Sequence, residues 1–117
     1  MYITIVREVN MNTRKFSSQQ EKYVAKQLKG RLQPNSGATP FKLGDVVCED
    51  WLIECKTCVA PKQSFSIKKD WLHKLEEERF AMRKSNSALA FNFGPNEPIY
   101  YVVNEKTFKQ LLDKGEL

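Results

Sequence analysis

The sequence predicts an α/β fold in which a mixed β-sheet is flanked by helices, in the order helix, strand, strand, helix, strand, strand, helix. Three observations predict it. Residues 43–57 contain two apolar runs of strand length joined by Glu49 and Asp50. Stretches with helical spacing stand on either side, one from about Ser17 to Gly30 and one over residues 66–84. A second pair of apolar runs, residues 87–93 and 99–103, lies around the turn Gly94-Pro95-Asn96.

At 117 residues the chain fits a single domain with a small core. Its apolar runs are strand-sized, so no membrane span is expected. The opening MYITIVREVN lacks the basic start, apolar centre and small-residue cleavage site of a secretory signal, so an intracellular, cytoplasmic location is expected. Net charge is +5. That excess suits a lysine-rich solvated surface as well as a polyanion partner, and charge alone does not choose between them. Three cysteines, Cys48, Cys55 and Cys58, argue against a disulfide framework. A zinc site from these and His73 lacks a second Cys pair, and buried reduced thiols are the better reading.

Taken in order, residues 2–9 alternate weakly through Ile3, Ile5 and Val6, as a short strand or a leader would. The first helix is expected from about Ser17, where Ser18 and Glu21 have capping-box spacing. Tyr23, Val24, Ala25 and Leu28 give it an apolar face, and Gly30 suits its exit. Glu21 is then a capping partner, or else an acid turned toward the hairpin. Residues 33–42, QPNSGATPFK, form a loop by composition. Ser36-Gly37 within it offers a hydroxyl and an unhindered backbone, which is what a turn needs and also what close approach to a phosphate needs.

Residues 43–48 and 51–57 are expected as the strands of a hairpin. Alternation puts Leu52, Glu54 and Lys56 on one face and Trp51, Ile53 and Cys55 on the other. Ionisable groups in an apolar strand are expensive unless paired or bound to something. A surface Glu–Lys pair on an edge strand would explain them, but Val47, Trp51, Leu52 and Ile53 mark a central strand. The helix over 66–84 carries Ile67, Trp71, Leu75 and Met82 near one stripe with Leu72 alongside, and Ser66 as its cap. Lys68 and Lys69 stand in its first turn, where acids are usual, so they are either solvated or facing an anion. Phe108, Leu111 and Leu112 mark a short last helix, while Trp71, Phe91, Phe93 and Tyr101 read as core.

Hydrolysis of a phosphodiester needs an activated water, neutralised phosphate charge and help for the leaving oxygen. Two carboxylates on adjacent strands, Asp45 and Glu54, can hold magnesium, with manganese as a plausible substitute, and the Cys55 backbone carbonyl is a natural further ligand. Lys56, beside Glu54, can orient the water or offset charge in the transition state.

Gly44-Asp45 followed by Glu54-Cys55-Lys56, on a hairpin between two helices, resembles the D…E-x-K core of the PD-(D/E)XK nuclease superfamily. With Glu21 in the first helix and Ser36-Gly37 before the first acid, residues 17–104 look most like archaeal-type Holliday junction resolvases and their viral relatives. Gly44 stands where the motif has proline. The resemblance implies a restriction-endonuclease-like fold and a magnesium-dependent endonuclease, usually a homodimer cutting opposing strands of branched DNA. It further implies Glu21 as an outer metal-site residue acting through water and Ser36 as a phosphate contact. Lys42, Lys62, Lys68 and Lys69 would flank such a site and meet the DNA backbone, by charge and nearness in sequence. Two alternatives stand beside it: a nuclease of the same superfamily acting on duplex, flap or nicked DNA, and a basic nucleic-acid-binding or dimerisation module in which Glu54 and Lys56 form a structural ion pair.

Overall fold

The computed structural model describes residues 2–33 and 45–115, with the side chains of the first helix described from residue 14. Helix α1, Tyr2–Gln27, is 26 residues long. This overturns both the strand or leader expected at residues 2–9 and the helix start near Ser17. The alternation of Ile3, Ile5 and Val6 suggested a strand, yet the stretch contains neither Gly nor Pro to break a helix. Ser18 and Glu21 fall well inside α1, where backbone amides bond within the helix, so they form no capping box. No helix of the described residues is long and apolar enough to cross a membrane.

α1 closes through paired turn hydrogen bonds. The Gly30 amide reaches the Ala25 carbonyl at 2.8 Å and the Lys29 amide reaches the Lys26 carbonyl at 3.3 Å. The left-handed residue there is Lys29, at φ 55°, rather than the glycine. Gly30 is needed for a different reason: a Cβ on it would stand 2.6 Å from the Val47 carbonyl oxygen. Its bare backbone lets the chain leave α1 close against the sheet.

Five strands form that sheet, in the order β1-β2-β3-β4-β5. They are Arg31–Leu32, Val46–Cys48, Trp51–Lys56, Asn86–Phe91 and Tyr100–Val102. β1 is additional to the expected elements; it is two exposed residues long, with no periodicity to announce it. β1–β2, β2–β3 and β4–β5 pair antiparallel, while β3–β4 is parallel. Helix α2, Lys69–Ala81, makes the crossover between β3 and β4 that a parallel pair requires. β3 is the central strand, as its apolar run implied.

Alternation along the strands divides the core into two faces. On one, Val24 and Ala25 of α1 pack on Val46, Ile53, Ala88 and Ala90. The two alanines of β4 leave room for the helix to lie close. On the other, Leu75 of α2 packs on Val47, Leu52 and Leu89, with Trp71 and Phe91 half-buried around them. Phe65, Phe91, Phe93 and Tyr100 continue this side as a run of ring contacts, beginning with Phe65 and Phe91 at 4.8 Å between centroids.

Three further expectations change. α2 begins at Lys69, with Lys68 as a cap residue whose side chain makes no capping bond, so Ser66 does not cap it. The buried stripe starts at Trp71, and the exposed Ile67 gains nothing from being helical. Helix α3, Glu105–Asp113, is capped by Asn104, whose side chain accepts from the Thr107 amide at 2.8 Å. Its Phe108 and Leu112 are 47% and 51% exposed, so the last helix buries only part of its apolar face. Tyr101 is exposed and is not a core residue.

Candidate active site

Asp45 stands just before β2, whose pairing with β3 ends at Val46↔Ile53, and its charge acts on Glu54. Within β3, Glu54 and Lys56 alternate with Ile53 and Cys55 and share the face of Leu52, so both stand on the α2 side of the sheet. Asp45 departs from the regular ladder and bridges both neighbours: its amide donates to the Ile53 carbonyl of β3 at 3.0 Å and its own carbonyl accepts from Gln33, just after β1, at 2.9 Å. Its side chain then takes over from the backbone. Oδ2 of Asp45 accepts from the Cys55 amide at 2.7 Å, which fixes the carboxylate against β3. The amide and carbonyl of a strand residue leave on the same edge, so the Cys55 carbonyl is also directed toward Asp45.

Glu54 and Lys56 lie two residues apart on that face, with Oε1 and Nζ 3.8 Å from each other. Burial pushes the Glu54 carboxyl up to about 7 from an ordinary value of 4.5. The Asp45 charge adds to the rise, Lys56 opposes it, and Glu78 and Lys74 contribute one in each direction. Half-buried negative charge is therefore in excess here, which is the condition a cation relieves. The donors are hard oxygens, two carboxylates and a carbonyl, and they suit magnesium or manganese. Among the described residues no group of three or more His, Cys, Asp and Glu side chains could hold a metal ion. The zinc arrangement of Cys48, Cys55, Cys58 and His73 is likewise not formed among the described residues, and none of the three cysteines is in a disulfide.

Helix α2 supplies residues that were not expected at the site. Trp71, Lys74, Leu75 and Glu78 close a cavity of about 190 Å³ against Glu54 and Lys56. Lys56 Nζ sits 4.4 Å from the centre of the Trp71 ring, a cation–π contact that holds the ammonium over the sheet. Glu78 is buried and lies 3.9 Å from Lys74. The signal was present, because Glu78 falls seven residues after Trp71 on the buried stripe. It was hidden in the run Glu76, Glu77, Glu78, which looks like a solvated acidic patch. Trp71 read only as core.

The remaining expected residues divide. Lys68 shares Trp71 with Lys56, its Nζ 5.7 Å from the ring centre, so it is brought to the edge of the site. Lys69 opens α2 and Lys62 lies in the preceding loop, both exposed. Glu21 is half-buried on the stripe of α1 that includes Val24, Ala25 and Leu28, and so faces the sheet from the opposite side. Its neighbour Gln20 donates to the Lys56 carbonyl at 3.0 Å, which sets this turn of α1 at the end of β3 where Lys56 stands. Ser36, Gly37, Lys42 and Gly44 lie outside the described residues. In comparison with protein-family models, with curated proteins and with solved structures, no match is found for the chain.

Proposed function

We infer that the chain is a metal-dependent endodeoxyribonuclease of the PD-(D/E)XK type, acting as a homodimeric Holliday junction resolvase in the cytoplasm. One observation carries the reading. The Asp45 carboxylate is hydrogen-bonded to β3 at the Cys55 amide and its charge acts on Glu54, which stands beside Lys56 where burial already disfavours uncompensated negative charge. A hairpin preceded by α1 and followed by α2 supports a restriction-endonuclease-like fold for the sheet.

In this reading Asp45, Glu54 and the Cys55 carbonyl hold magnesium or manganese, while Glu21, turned to the α1 face of the sheet, is not among the residues brought to this ion. The ion would supply Lewis-acid activation of water and neutralise charge on the phosphate. Lys56, steadied by Trp71, orients the attacking water and offsets charge in the transition state. Lys62, Lys68 and Lys69, together with Lys42 and Ser36, meet the DNA backbone.

Substrate shape is tested by offering a synthetic four-way junction, linear duplex, flap and single strand in magnesium and in chelator. Cutting of the junction in preference to the others, in magnesium only, is the expected outcome. Equal or faster cutting of linear duplex keeps the nuclease and removes the resolvase assignment. A non-catalytic DNA-binding module, to which the Glu54–Lys56 ion pair would be purely structural, cuts nothing in either buffer.

A further inference from the structure

A larger cleft of about 600 Å³ opens on the α1 side of the sheet, away from the face that carries Glu54 and Lys56. One wall is α1, which presents Phe16, Gln19, Gln20 and Tyr23 at helical spacing. The other is the turn between β4 and β5, with Asn96, Glu97 and the apolar Pro95, Pro98 and Ile99. Thr57 and the buried Asn92 line it as well. Lys15, Lys22 and Lys26 are exposed on the same stripe of α1 as the lining residue Gln19, so cations run along that edge of the wall.

This lining has a definite chemistry. Tyr23 is 53% exposed although it stands in a cleft, so its ring presents an open face. Gln19, Asn96 and Glu97 offer carboxamide and carboxylate groups beside it, the partners that the hydrogen-bonding edges of bases take. Cationic side chains along one helix would follow a phosphate backbone running past. An open aromatic face with amides beside it suits separated bases, because a base paired and stacked in a duplex keeps its faces covered. The cleft also touches the reaction centre through the backbone. Gln20 bonds both to Thr57 and to the carbonyl of Lys56, so the residue that carries the site's lysine forms part of the support of this cleft.

We propose that the cleft between α1 and the β4–β5 turn is a second nucleic-acid site, one that takes unpaired nucleotides by stacking on Tyr23 and bonding of base edges to the amides, with the α1 cations on the phosphates. It goes beyond the cutting reaction and does not depend on it. A nuclease that meets branch points, where bases come unpaired, would gain a grip on the strand beside the bond it cuts.

The test is fluorescence anisotropy of the full chain, in chelator so that nothing is cut, with a labelled short oligothymidylate and an abasic strand of equal length and charge. Wild type is expected to bind the oligothymidylate about tenfold or more tighter than the abasic strand, the range that loss of one stacked base implies. Tyr23→Ala is expected to bring the two affinities together, and Tyr23→Phe to keep them apart. Because Tyr23 is half exposed, the alanine variant is expected to melt like wild type, and its thermal unfolding is measured alongside. Equal wild-type affinity for the two strands, absence of binding to either, or an unchanged ratio in a folded Tyr23→Ala protein overturns the proposal. Since no cleavage is read, failure here leaves the nuclease reading standing, and failure of cleavage leaves this site standing.

Discussion

Glu54 is the most perturbed carboxyl at the candidate site, because its burial and the Asp45 charge hold it near 7 instead of 4.5. The linkage has a definite sign. A carboxyl whose folded value is raised takes up a proton in the folded chain before the unfolded one does. Between pH 4.5 and 7 the folded state therefore binds more protons, and the contribution of Glu54 to stability falls as pH rises through that window. Glu54→Gln is expected to raise the melting temperature of the metal-free protein at pH 8 and to leave it little changed near pH 4, read by thermal unfolding at both. The same proton competes with a cation, so cleavage is expected to decline as pH drops below about 7. Lys56 calls for a different measurement. Lys56→Met keeps the apolar stem against Trp71 while removing the ammonium. It is expected to slow single-turnover cleavage by about 10²-fold or more, the usual cost of losing a group placed on developing charge, with junction affinity changed far less.

At the scale of elements, the hairpin was the most legible part of the chain and α1 the least. Val46-Val47 and Leu52-Ile53 are short apolar runs on either side of a two-residue turn, so the two strands and their pairing follow from the runs and the turn, and alternation along β3 puts Glu54 and Lys56 on one face. For this reason Asp45, Glu54 and Lys56 could be placed together before any fold was known. α1 was misjudged because Ser18 and Glu21 mimic a start signal that the continuous backbone overrides, and because β-branched residues favour strands only weakly. β1 and the start of α2 depend on tertiary pairing and on where the buried stripe begins, which local patterns do not encode. Gly30 illustrates the same limit. It reads as a helix stop, yet its requirement is the nearby Val47 carbonyl. Gly30→Ala is expected to destabilise by about 1–3 kcal/mol, as overpacking does, measured by urea denaturation.

Over the whole molecule, the sheet separates two surfaces of different character. The α2 side gathers Glu54, Lys56, Glu78 and the aromatic run from Phe65 to Tyr100, with the exposed Lys68, Lys69 and Lys74 on α2 and its cap, while the α1 side carries exposed cations along one helix. The sequence showed a net positive chain but not this division, because assigning a lysine to a side needs the helix to be laid on the sheet. In the proposed nuclease a junction would be held chiefly through its phosphates, so its affinity is expected to survive loss of one acid at the candidate site. That separation makes the central claim testable with one substitution. Wild type and Asp45→Asn are compared on a labelled four-way junction, with and without magnesium, following cleavage and binding in parallel. The nuclease account expects magnesium-dependent cutting by wild type, and no cutting but undiminished binding by the variant. Cutting by Asp45→Asn at the wild-type rate, or no cutting by either protein, would contradict it.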